Sequence, residues 1–225
     1  MLERLEILIG NENINKIKEK SVLVIGLGGV GGYVVESLIR CGIENIVLVD
    51  FDRVDETNLN RQIIATRSNI NKKKTDAFYE RIMDINDKVK VIKIDKFIDE
   101  SNYKELFDYK IDYLIDCCDY IITKKLLIKE CLDRKIKFIT SMGTGYKLDP
   151  SKLEITDIRK TSYDKIAKIL RKWVKDENIK GKITCVSSTE KPIINKEAKS
   201  IGSNSFVPAS TGLLITSYVI RDIIK

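Results

Sequence analysis

Apolar runs at Val22–Ile25, Ile46–Val49, Val89–Ile94, Tyr113–Ile115 and Ile136–Ile139 alternate with segments of helical period near 30–41, 72–85, 102–108 and 122–134. Fully buried parallel strands read as short continuous apolar runs, and amphipathic helices as a stripe of period 3.6. The alternation therefore predicts an α/β fold: a Rossmann-like, doubly wound, mainly parallel sheet with helices on both faces. After the fifth run, SMGTGYKLDPSK brings in glycine, Pro150 and polar residues and ends the βα rhythm.

The remainder predicts a strand over 153–158, a basic helix near 163–177 and a strand over 182–188. A polar loop follows, carrying Pro192 and ending in Ser203, Asn204 and Ser205, and Pro208 then precedes an apolar last helix over Ala209–Ile224. In the basic helix, Ile166, Ile169, Leu170 and Trp173 recur at i, i+3, i+4 and i+7 and predict the core face. Lys165, Lys168, Lys172 and Lys175 line the opposing face. The pattern is that of one domain over 1–225, with a nucleotide-binding core at 20–145 and a C-terminal α+β extension at 146–225.

Length and composition leave this picture standing and remove several chemistries. A chain of 225 residues buries a proper interior. Its longest apolar stretches are strand-length, and MLERLEILIG mixes charges into its apolar residues, unlike a signal peptide; no transmembrane segment and a cytoplasmic location are expected. Five cysteines at 41, 117, 118, 131 and 185 show no paired spacing, which argues against a disulfide framework. The absence of histidine excludes a Ser-His-Asp triad, a Cys-His dyad and imidazole zinc sites. The formal charge of +7 is concentrated between Arg159 and Lys182, where nine bases face three acids. That stretch, with Arg171 among its bases, is where a polyanion would be drawn.

The glycines at 26, 28 and 31 in GLGGVG match GxGxxG between a buried strand and a helix. Such a turn allows a tight bend, close approach to phosphate and close helix–strand packing. Asp50, ending the second strand, suits ribose hydroxyls, and to this point NAD and ATP fit equally. Asn58, Arg61, Gln62, Lys74 and Asp119 all fall at carboxyl ends of strands. A guanidinium, an ammonium and a metal-holding carboxylate suit a triphosphate that releases pyrophosphate, for which hydride transfer has little use. An NAD-dependent oxidoreductase or a nucleotide sensor without turnover remains the alternative at this stage.

GLGGVG at 26–31, Asp50 and Asp52, NLNRQ at 58–62, Lys74 and DCCD at 116–119 together resemble the ubiquitin-activating (E1-like) adenylyltransferase superfamily. The resemblance implies that Gly26, Gly28, Gly29, Gly31, Asp50, Asp52, Asn58, Arg61, Gln62, Lys74 and Asp119 hold ATP. It also implies that Asp119 carries Mg2+, and that Arg61, Lys74, Asp119 and an N-terminal arginine matched by Arg4 act in catalysis. Arg4 would reach the ATP of the partner subunit in a homodimer. Within the superfamily the chain is most similar to the tRNA threonylcarbamoyladenosine dehydratases, through 148–161, the basic helix, 182–192 and 202–214.

That branch implies ATP-dependent dehydration of the modified adenosine next to the tRNA anticodon through an adenylated carboxylate. It implies tRNA as partner, with Lys165, Lys168, Arg171, Lys172 and Lys175 contacting phosphates, and it leaves room for a monovalent cation and for sulfur-transfer or cysteine desulfurase partners. The alternative in the same superfamily is adenylation of the C-terminus of a small sulfur-carrier or ubiquitin-like protein. Two departures stand out: the paired CxxC motifs of many carrier-activating relatives are absent, and Tyr120 and Lys124 stand where Asn and Arg are often found. Lys keeps the charge of Arg without its planar fork. Cys185, in an apolar strand pattern, reads as packing and not as a thioester nucleophile.

Overall fold

The computed structural model describes residues 1–193, 197 and 200–225, so the part of the predicted polar loop at 194–196 and 198–199 lies outside the described residues. Among the described residues, seven strands form one sheet in the order β3-β2-β1-β4-β5-β7-β6. These are β1 Ser21–Ile25, β2 Asn45–Val49, β3 Lys90–Ile94, β4 Tyr113–Asp116, β5 Lys137–Ser141, β6 Leu153–Asp157 and β7 Thr184–Ser188. All pairings are parallel except β6 with β7, which is antiparallel. The helices are α1 Glu3–Ile9, α2 Asn11–Lys18, α3 Gly31–Arg40, α4 Lys74–Ile85, α5 Ile121–Arg134, α6 Lys165–Asp176 and α7 Phe206–Ile223.

Alternation along β1 splits the core in two, as the period of 2 in a strand requires. Val22 and Val24 pack with α3, α4 and α7 through Val34, Leu38, Phe78, Ile215 and Val219. Leu23 and Ile25 face the other side, with Leu106, Leu127 and Cys131. A third cluster joins α5 and α6 through Ile128, Leu170, Trp173, Ile183 and Cys185. Residues after 145 thus extend the same sheet with β6 and β7 and send α7 back across α3.

Several sequence expectations change in detail. The segment at 102–108 forms a 3-10 helix, Tyr103–Asp108, too short to complete an α-helical stripe. α1 and α2 precede the sheet and are not among the predicted elements; α1 has no buried residue, whereas α2 buries Ile14 and Ile17. On α6 the core face is Ala167, Leu170, Trp173 and Val174, while Ile169 is 44% exposed. The i, i+3, i+4 pattern fixed the helix but placed its face about one residue off. α7 begins at Phe206, so Pro208 lies inside its first turn, where its missing N–H removes no helical bond. Asn204 Oδ1 accepts from the Phe206 and Val207 amides at 3.1 and 2.8 Å and caps that turn.

Register aligns the strand ends that matter. Ile25 lies beside Val49 on one side and beside Asp116 on the other, and Asp116 lies beside Thr140. The turns after β1, β2, β4 and β5 therefore open at one level, at the point where strand order reverses.

Candidate active site

A cavity of about 470 Å³ opens over these strand ends. Gly28, Gly29, Asp50, Asp52, Asn58, Arg61, Gln62, Lys74 and Asp119 line it, joined by Gly26 at its floor. Its size falls within the usual range for small-molecule sites.

The glycine turn divides its labour. Gly26 has φ +84, and a Cβ there would lie 2.7 Å from the Cys117 carbonyl carbon and the Cys118 nitrogen. A Cβ on Gly31 would lie 1.8 Å from the Gly26 oxygen, so Gly31 acts by close packing of α3 on the turn and does not line the cavity. Among the described residues the Gly28, Gly29 and Val30 amides have no backbone acceptor. They form an open set of donors at the N-terminus of α3, the arrangement that binds phosphate.

Asp50 is 8% exposed and held from two directions. The Leu27 amide donates to Oδ2 at 2.6 Å and the Asp52 amide to Oδ1 at 2.8 Å. Burial pushes its carboxyl above the usual carboxylate range, against the lowering by Lys74 and these two amides. Lys74, at the first position of α4 and 4% exposed, places Nζ 2.8 Å from Asp52 and 3.9 Å from Asp50. A buried ammonium shared between two carboxylates is positioned but retains a donor for a phosphate oxygen.

Asp55 caps the 3-10 turn Glu56–Asn58 in a capping box and leaves Asn58 buried on the cavity wall. Arg61 donates from Nη1 to the Thr57 carbonyl at 2.7 Å and to Asn60 Oδ1 at 2.8 Å. Among the described residues it has no carboxylate partner, so its charge faces the cavity unneutralised. Gln62 is 8% exposed and its Oε1 has no hydrogen-bond partner, an orphaned buried acceptor that a bound ligand would satisfy. Asp119 is exposed at the rim and makes no ion pair among the described residues.

Below the rim sits a group that sequence reasoning left without a role. Lys124 is fully buried, with Nζ 3.0 Å from Asp116 Oδ2, 3.1 Å from Thr140 Oγ1 and 2.8 Å from the Ser141 carbonyl. Thr140 donates to the same Asp116 oxygen at 2.6 Å, and the Cys118 amide donates to the other at 3.1 Å. Burial works against the ammonium, but Asp116 outweighs it and the Lys124 pKa is raised. This network clamps the ends of β4 and β5; Lys124, Asp116 and Thr140 lie beneath the cavity, while Cys118 and Ser141 also line it.

The cysteines read as packing. Cys185 lies buried in β7, and burial pushes its thiol up to about 12, leaving it unreactive near neutrality. Burial likewise raises the Cys117 and Cys118 thiols. Arg4, on exposed α1, does not line the cavity of its own chain. On α6, Lys165, Lys168, Lys172 and Lys175 are exposed as expected, whereas Arg171 is half-buried and donates to Thr161 Oγ1 at 2.5 Å.

Several lining residues escaped the sequence reading. Phe51, Phe97 and Tyr120 form an aromatic rim, with successive ring centroids 5.0 Å apart in edge contacts. Ser141 ends β5 and Met142, Gly143 and Thr144 follow it, and Ile166, Ser203 and Pro208 also line the cavity, Pro208 beside Gly29. The rule that ligands bind beyond the carboxyl ends of strands pointed to the segments after β3 and β5; chain-distant Ser203 and Pro208 carried no such signal.

The pattern of the ThiF family matches residues 2–192. The chain belongs to the ThiF family. As a ThiF-family member it is 41% identical over 238 aligned positions to the tRNA threonylcarbamoyladenosine dehydratase of Bacillus subtilis, covering 99% of this chain and 94% of that one. Its fold is similar to the crystal structure of Escherichia coli tRNA N6-threonylcarbamoyladenosine dehydratase in complex with ATP. The TM-score is 0.91 at 33% identity, over 97% of this chain and 91% of the other. The AMP complex of the same enzyme gives 0.92 at 33% identity, over 97% and 92%. The predicted Rossmann-like, mainly parallel fold is thus borne out.

Proposed function

We propose that this chain uses ATP to dehydrate threonylcarbamoyladenosine in tRNA, by adenylating the carboxylate of the modification. The observation that carries the reading is the pairing of open amides at Gly28–Val30 with the unneutralised Arg61 guanidinium on one cavity wall. Similarity across nearly the full length of named dehydratases, one in complex with ATP, supports the substrate.

In this mechanism the carboxylate oxygen attacks the α-phosphorus of ATP and pyrophosphate departs. A neighbouring nucleophilic atom of the same modification then attacks the acyl carbon, AMP leaves, and a ring closes with net loss of water. In this reading Asp50 accepts from the ribose hydroxyls, and Arg61, Lys74 and the glycine amides neutralise charge on the leaving pyrophosphate. A Mg2+ ion fits here, since Asp119 offers an exposed carboxylate without an ion-pair partner at the cavity rim, and Mg2+ usually takes only one or two carboxylates beside phosphates. Such an ion supplies further charge neutralisation of the triphosphate. No histidine or thiol is required.

Ile7 and Leu8 on α1 are 82% and 78% exposed, which supports docking of α1 on a second copy with Arg4 directed to that copy's nucleotide. The cations of α6 support contact with tRNA phosphates, and no helix among the described residues is long and apolar enough to cross a membrane.

ATP–pyrophosphate exchange, measured with threonylcarbamoyl-modified tRNA and separately with small carrier proteins, tests the reading. Exchange dependent on the modified tRNA is expected. Exchange driven only by a carrier protein would replace this reading with carrier adenylation.

A further inference from the structure

A second concave site lies at the C-terminal end of α6, a groove of about 650 Å³ lined by Arg159, Arg171, Val174, Lys175, Asn178, Ile179, Lys180 and Gly181. Four of its eight lining residues are cations and none is an acid. Arg159 is occupied: it pairs with Asp157 at 3.0 Å and donates to the Ile179 carbonyl at 3.0 Å, which fixes the turn forming the groove's edge. Asn178 and Gly181 hold that turn with φ of +50 and +92. Arg171 is braced by Thr161, and Lys180 by Asn178 Oδ1 at 2.6 Å. Asp176 and Glu177 follow Lys175 in sequence, yet among the described residues no carboxylate pairs with Arg171, Lys175 or Lys180. Arg171 and Lys180, braced, and Lys175 beside them thus present charge that no described carboxylate neutralises, which attracts a polyanion.

The same helix enters the catalytic cavity at its other end, where Ile166 lines the wall. Lys175 lies nine steps along α6 from Ile166, an axial rise of about 14 Å at 1.5 Å per residue. Exposed Lys168 and Lys172 lie between them. With one phosphate per about 3.4 Å of a stacked strand, that span is about four nucleotides.

We propose that the groove is a phosphodiester subsite for the substrate RNA, and that α6 sets the distance between the nucleotide in the cavity and a backbone phosphate about four nucleotides away. This rests on the tRNA reading above, and extends it from a charged helix face to a built pocket that includes Arg159 and Lys180. RNA is favoured over an acidic protein because Lys168, Lys172 and Lys175 recur at i, i+4 and i+7 on one exposed face of α6 that ends in the groove, as a row of backbone phosphates requires.

The test uses the full chain and a threonylcarbamoyl-modified anticodon stem-loop RNA, with affinity measured as a function of salt. Lys175→Ala/Lys180→Ala is expected to lower the magnitude of the log–log salt slope by about 1.4–1.8, with ATP affinity serving as the folding control. Lys88→Ala/Lys90→Ala, at the opposite end of the sheet, removes the same charge and is expected to leave the slope unchanged. A neutral methylphosphonate about four nucleotides from the modified base should weaken binding by the wild type and not by the groove variant. An unchanged slope in the groove variant, or an equal change in the control, overturns the proposal. Loss of RNA binding by the wild type itself, with exchange driven by a carrier protein, overturns the tRNA reading as well, so the two failures are distinguishable.

Discussion

Replacing Lys124 by Met tests whether the buried clamp beneath the cavity holds the ends of β4 and β5 together. The ammonium is fully buried and donates to three oxygens, at 3.0, 3.1 and 2.8 Å. Methionine matches the volume but leaves Asp116, 1% exposed, with only the Thr140 hydroxyl and the Cys118 amide, and strips the Ser141 carbonyl of this donor. Breaking a buried pair by removing one partner costs about 3–5 kcal/mol, most of it the uncompensated charge left behind. For a domain of this length that is a Tm about 6–20 °C lower, at roughly 2–4 °C per kcal/mol. Urea and thermal unfolding of Lys124→Met and of Lys124→Met/Asp116→Asn, followed by tryptophan fluorescence, measure it. Removing both charges should recover at least half of the loss. A single variant less than about 1 kcal/mol below wild type, or a double variant no more stable than the single, would refute the clamp. ATP affinity in the folded fraction should also fall, since Cys118 and Ser141 line the nucleotide cavity.

Other consequences follow from the same geometry. Arg61→Ala and Asp119→Ala, both outside the core, should lower kcat by about 100- to 1000-fold with little change in Tm; steady-state kinetics beside calorimetry separates the two effects. Gly31→Ala sets a Cβ against the Gly26 oxygen, so stability should fall by about 1–3 kcal/mol and ATP binding weaken, read by unfolding and calorimetric titration. With its thiol near 12, Cys185 at pH 8 is thiolate in only about one molecule in 10⁴. Iodoacetamide at that pH should leave it unmodified by mass spectrometry, and Cys185→Ala should turn over at close to the wild-type rate. The raised Lys124 pKa makes its stabilisation complete below about pH 10 and lost as pH rises through the folded value. The gap between wild type and Lys124→Met/Asp116→Asn should therefore narrow only in alkaline titrations.

The sheet was legible because β1, β2 and β4 are buried on both faces and read as nearly unbroken apolar runs. The phosphate turn and Asp50 were legible because their chemistry is local in sequence. α1 was not, since helical periodicity reports a buried face and Ile7 and Leu8 have none in this chain. On α6, Ile169 fitted the predicted stripe but points to solvent, because α5 and β7 cover a face centred on Leu170 and Trp173. The inward orientation of Lys124 escaped notice for a related reason. Its partners Asp116, Thr140 and Ser141 come from two strands, and only the register of β4 against β5 brings them together. The groove at Arg159, Lys175 and Lys180 likewise exists only after the turn at 178–181 folds back onto α6.

The central claim is that the substrate carboxylate is activated as an acyl-adenylate, and heavy-oxygen transfer tests it most directly. Modified tRNA carrying labelled oxygen in the threonylcarbamoyl carboxylate is incubated with the protein and ATP, and the nucleotides and nucleosides are weighed by mass spectrometry. Adenylation predicts one labelled oxygen in AMP, with a nucleoside lighter by one water that retains the other. Label in inorganic phosphate accompanied by ADP, or no label in any nucleotide while the nucleoside loses water, would contradict it.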